Sequence, residues 1–85
     1  MSTDYYINKY FSTHDLGLSA ALLTAGFPVD HLDKKDQTKV EFVFSRIEGM
    51  DEITQLYWNN NLQLSLLAFF NNIKILKNRI YSEKF

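Results

Sequence analysis

Two histidines, His14 and His31, and the acidic run around the second are where this sequence comes nearest to a reactive site. The stretch "DHLDKKD" gathers Asp30, His31, Asp33 and Asp36, and carboxylate oxygens in such a group are what a hard cation needs to replace its hydration shell. It lacks the central glycine that turns a calcium loop and the glutamate that closes one, so a solvated connection between strands is the simpler reading. Neither histidine has a second His or a Cys at metal-ligand spacing. His14 beside Asp15 suggests a base and its orienting carboxylate. Adjacent residues at a helix start point in different directions, however, and the pair reads as part of a capping turn. There is no G-x-S-x-G elbow, no phosphate loop among three scattered glycines, and no cysteine nucleophile. No metal, cofactor or small-molecule substrate is implied, and the expectation is that the chain is not an enzyme.

Two surfaces carry binding chemistry instead. Lys74, Lys77, Tyr81 and Lys84 fall on one stripe if the last helix runs to the terminus, with Arg79 to one side and Asn71 and Asn78 nearby. A cationic stripe containing an aromatic can hold phosphates and stack a base; the plainer account is basic residues offsetting the negative end of a helix dipole. Leu64, Leu67, Phe70 and Ile75 lie off the main apolar seam of the same helix. A helix apolar over more than one stripe is either central to its own fold or shared with another chain, a second copy included. Trp58, followed by Asn59, Asn60 and Asn61, fits an interface anchor or a cap on the core.

The elements that must position these residues follow from length and pattern. A chain of 85 residues is one domain, residues 1–85, because a second core would need roughly another 50 residues. Hydrophobic residues make up 46% of it and aromatics 15%, too much apolar surface for a disordered chain and, at this size, more than one core can hide. A net charge of −1 argues against a broad field for nucleic acid. The absence of cysteine and of a leader pattern points to the cytoplasm. The most apolar run, "LQLSLLAFF", is far short of the roughly 20 residues that span a bilayer.

Alternation in "YYINKYF" predicts a strand over 5–11. "STHDLGLSAALLTAGFP" predicts a helix with Ser12 or Thr13 as N-cap, Asp15 in the first turn, Gly26 at the C-terminus and Pro28 beyond. Gly17 inside it implies another backbone in close approach. "FPVDHL" and "KVEFVFSR" predict a hairpin with a polar connection, Pro28 holding the first strand to an edge or standing at its start. In the second strand Val40, Phe42 and Phe44 should face helices. Asp51 is the expected N-cap of a helix over "EITQLYWNN", which the Asn run stops. From Leu62 to about Tyr81 the positions Leu62, Leu66, Phe69, Ile73, Leu76 and Ile80 predict one long helix. The predicted fold class is α+β, order β-α-β-β-α-α, a small antiparallel sheet of two or three strands packed on three helices.

"YFSTHDLGLSAALLTAGF", "VEFVFS" and "NNIKILKNRIY" together resemble a family of small single-domain proteins of bacteria and their phages, known only as a domain of unknown function. The resemblance covers most of residues 10–81 and rests on patterns of fold. It implies a compact intracellular accessory protein and brings no activity, cofactor or catalytic residue.

The expected function is a small non-enzymatic accessory protein that binds another protein, encoded by a phage or mobile element and acting as an inhibitor or adaptor of a host protein, for example in anti-CRISPR or anti-restriction. Its interface candidates are Trp58, Leu64, Leu67, Phe70 and Ile75. The alternative is a nucleic-acid-binding module using Lys74, Lys77, Arg79, Tyr81 and Lys84.

Overall fold

A computed structural model describes residues 9–36 and 38–82. The elements run β1 (Tyr10–Thr13), α1 (Leu16–Thr24), β2 (Val29–Asp33), β3 (Glu41–Ser45), α2 (Met50–Trp58) and α3 (Leu66–Ser82). This is the expected α+β order, with a three-stranded antiparallel sheet of strand order β1-β3-β2.

Strand β1 lies later than the aromatic alternation suggests, and Tyr5 to Asn8 of the predicted strand fall outside the described residues. Ser12 and Thr13 pair with Val43 and Phe42 of β3, so neither is available to cap the helix. Asp15 takes that role: its backbone is extended and its Oδ1 accepts from the Leu18 amide at 2.8 Å. The Thr13 hydroxyl accepts from the Asp15 amide at 3.0 Å, so it fixes the cap and is not itself one. The other end closes as predicted. Gly26, at φ 107°, reverses the chain so that the Gly26 and Phe27 amides reach the Leu23 and Leu22 carbonyls.

Strand β2 is an edge strand with Pro28 immediately before it, where a missing amide hydrogen costs the ladder nothing. Val29 pairs with Phe44 and His31 with Val43, which leaves Asp30 as a bulged residue. Strand β3 is central. Phe42 and Phe44 are buried on its helix-facing side, in contact with Leu18, Ala20, Leu22, Met50 and Leu76, while Val43 occupies the opposite parity between Ser12 and His31.

The last two helices start differently from the prediction. Gly49, left-handed at φ 93°, precedes α2 without a side-chain cap, and Asp51 stands in the first turn with Glu52. Carboxylates there meet the positive end of the helix dipole without capping it, and Asp51 also holds Arg46 at 3.0 Å. Helix α3 begins at Leu66 and not at Leu62. Ser65 sets the boundary, its hydroxyl accepting from the Ala68 amide at 3.2 Å and its carbonyl from Phe69 at 2.9 Å.

Of the two alternatives left open for α3, the structure does not make it the central helix. Helix α1 is buried from Leu18 through Leu22 with no exposed face, whereas α3 has one fully buried residue, Leu76, flanked by the partly buried Phe69, Ile73 and Ile80. A polar tie joins the two helices: the Asn72 amide donates to the Thr24 hydroxyl at 2.9 Å. Lys34, from the β2–β3 connection, donates from Nζ to the Arg79 and Ile80 carbonyls at 2.9 and 3.0 Å, satisfying acceptors near the negative end of the helix. Replacing Lys34 with Met keeps the aliphatic stem and removes the charge, and should cost about 1 kcal/mol. A thermal melt should then show Tm lower by roughly 5 °C. An unchanged melt would mean that the contact is incidental. Among the described residues no helix is long and apolar enough to cross a membrane.

Candidate functional site

The residues nearest to chemistry are occupied by local structure. The Asp33 carboxylate accepts from the Lys35 amide at 3.0 Å. The Asp36 carboxylate accepts from the Thr38 hydroxyl at 2.7 Å and amide at 3.0 Å, bonds that hold it below the ordinary carboxylate value. Each carboxylate therefore closes its own turn and does not converge with the others. Among the described residues no group of three or more His, Cys, Asp and Glu could hold a metal ion.

His14 and Asp15 do not act on one another. The His14 Nδ1 lies 3.1 Å from the Val40 carbonyl oxygen and its Nε2 3.7 Å from Glu41, so the ring fastens the start of β3 while Asp15 caps α1. On the outer sheet face Asp30 Oδ2 meets His31 Nδ1 at 2.7 Å, and the Ser45 hydroxyl reaches Asp30 Oδ1 at 3.4 Å. The carboxylate stands between hydroxyl and imidazole. A nucleophilic serine needs the imidazole in the middle, to take its proton.

What the fold does build is an apolar groove of about 490 Å³ between the end of α2 and the start of α3. Its position follows from one turn. Asn60, at φ 62°, ends α2 as Gly26 ends α1, with the Asn60 and Asn61 amides returning to the Tyr57 and Leu56 carbonyls. The chain then runs non-helically to Ser65 and lays Leu62 and Leu64 along the groove. Ala21 of the central helix lies at its base, Tyr57 and Trp58 form the α2 wall, and Leu66 and Phe69 the α3 wall. Tyr57 and Trp58 meet edge to face, ring centroids 5.0 Å apart, a favourable aromatic geometry that braces an otherwise exposed indole. Burial, with the nearby Asp15 carboxylate, raises the Tyr57 phenol above its ordinary value and keeps it neutral.

The groove opens onto the outer flank of α3. Leu66 is 81% exposed, Leu67 70%, Trp58 60% and Phe70 54%; Trp58 and Leu66 line the groove together, and Leu67 and Phe70 follow Leu66 along α3. Helical spacing carries the same flank on through Lys74, Lys77 and Tyr81, and the Lys74 ammonium lies 4.8 Å from the Phe70 ring centroid. The apolar and the cationic surfaces expected from the sequence are thus two halves of one surface.

Not every predicted residue joins it. Leu64 precedes the helix and lines the groove, half-buried. Ile75, though exposed, lies off this flank of α3, because at about 100° per residue it falls well to one side of the arc that holds Phe70, Lys74 and Lys77. Arg79 is half-buried toward the core side, its carbonyl held by Lys34. Lys84 falls outside the described residues. Leu62, Leu66, Phe69 and Tyr57 are not among the interface residues that the sequence predicts, since spacing alone places the first three in an unbroken helical seam. Ser65 ahead of "LLAF" was the available signal for a helix start.

The fold and the groove define a small α+β domain with an exposed apolar surface beside a groove. The chain belongs to the family whose model is described as a domain of unknown function (DUF5659), which matches residues 8–82. No curated protein and no solved structure matches the chain.

Proposed function

We propose that this domain is a non-enzymatic binding protein, an adaptor or inhibitor that engages a protein partner through the groove between α2 and α3. The observation that carries this reading is that Trp58 and Leu66 face each other across one groove while Leu67 and Phe70 continue from Leu66 along α3, all four more than half exposed. Isolated apolar side chains on a surface need no explanation, but a contiguous group beside a concave apolar floor is a typical protein-binding arrangement. An exposed Trp at the edge of such a groove supplies the kind of rigid anchor in which binding energy concentrates.

Affinity capture with the tagged domain from lysate, in the presence of nuclease, tests it against a Trp58→Ala/Leu66→Ala variant. Both residues are exposed, so the variant should fold and melt within about 1 kcal/mol of the parent. It should lose the partner by tenfold or more, as truncated anchors commonly cost at least about 1.4 kcal/mol. Recovery that disappears with nuclease, or that the variant retains in full, would overturn the reading.

A further inference from the structure

The partner's chemistry can be read from charge. Helix α3 has no acidic residue from Leu66 to Ser82, on a chain whose net charge is −1. Lys74 and Lys77 are exposed, and among the described residues neither makes an ion pair. Lys74 follows Leu67 by two turns, about 10 Å along the axis, and Lys77 by about 15 Å. The surface therefore has polarity: apolar at the groove, cationic farther along, with Tyr81 beyond.

We infer that the occupant is an acidic amphipathic segment of a protein partner, with apolar side chains seated beside Trp58 and Leu66 and carboxylates about two to three turns away on Lys74 and Lys77. This rests on the protein-binding reading and adds to it the class and register of the ligand. A nucleic acid fits less well. Two exposed lysines release about two counterions, a weak hold on a phosphate backbone, and phosphates have no use for Leu66, Leu67 and the groove. An acidic amphipathic segment uses both halves.

Trp58 is the one tryptophan of the chain, so its emission reports occupancy of the groove directly. Three probes are titrated against it: a synthetic helical peptide with two leucines one turn apart and two glutamates farther along, the same peptide with lysines for the glutamates, and a single-stranded oligonucleotide. The glutamate peptide should shift the emission to the blue and bind about tenfold more tightly than the lysine peptide, as expected for two surface ion pairs each worth a few-fold. In Lys74→Glu/Lys77→Glu that preference should reverse. Equal binding of the two peptides, unchanged in the variant, would overturn the inference and leave the protein-binding reading intact. No shift with either peptide would also overturn the inference, and the capture experiment then decides the wider reading. A shift with the oligonucleotide alone would overturn both.

Discussion

Phe44→Ala is expected to remove much of the domain's stability. Phe44 is 0% exposed, on the central strand, paired with Phe11 on one side and Val29 on the other. Its ring lies 6.3 Å from that of Phe11, and it belongs to the cluster in which Leu22, Met50 and Leu76 meet. Truncation forfeits burial and leaves a cavity that strand β3, hydrogen-bonded on both edges, cannot collapse into, a loss of about 3–5 kcal/mol. Domains of this size have roughly 4–13 kcal/mol in total, so the urea midpoint should fall by about 2 M or more. Phe70→Ala is the control: at 54% exposed it should cost no more than about 0.5–1 kcal/mol. Equal costs for the two would mean that the core face and the groove face have been exchanged.

The second large effect comes from a residue with no side chain. A Cβ at Gly17 would lie 2.6 Å from the Tyr57 hydroxyl oxygen and 3.3 Å from Asp15 Oδ1, but 3.7 Å from Tyr57 Cζ. Gly17→Ala gains about 1 kcal/mol of helix propensity and must displace a ring wedged against Trp58, an overpacking cost of about 1–3 kcal/mol. The Asp15 oxygen has little freedom to yield while it caps α1. The net expectation is a loss of up to about 2 kcal/mol. Tyr57→Phe removes the colliding atom, so in that background Gly17→Ala should be neutral or stabilising. A double-mutant cycle by chemical denaturation should give a coupling of roughly 1–3 kcal/mol; strict additivity would show that the glycine answers to something else. The same substitution should perturb Trp58 emission, since the Tyr57 ring braces the indole and walls the groove.

These two sites also mark how far the sequence could be read. Alternation over "VEFVFS" placed Phe42 and Phe44 in the core, because a half-buried strand has a period that few other structures share. Gly26 and the Asn run located two helix ends, since few residues tolerate a left-handed turn. Gly17 was correctly suspected of close contact, but what approaches is the Tyr57 hydroxyl, a side chain distant in sequence and not a backbone. The misplacements share a cause. Ser12 and Thr13 are good caps locally but are taken by pairing with β3, a contact 30 or so residues away that no local signal reveals. In the last helix, Leu62 and Leu66 match the seam by spacing alone, and a period does not tell a helix from a turn that happens to fall in phase. Breadth of apolar residues left α3 either central or shared with another chain and did not single out α1, where Ala and Ser at Ala20, Ala21 and Ser19 are what let the helix be enclosed, because small side chains admit close neighbours. The groove was least legible, as it depends on how three separate segments meet.

The order in which these segments leave a ribosome bears on when the surface can work. Helix α1 is synthesised before β3, α2 and α3, yet its burial requires all three, Leu76 of α3 last. A nascent chain halted before Leu66 has Trp58 and Ala21 but no opposite wall, and its central helix is still uncovered. The proposed binding surface and the closure of the core therefore both wait on α3, so that a chain lacking this helix has neither an opposite wall for the groove nor a covered central helix.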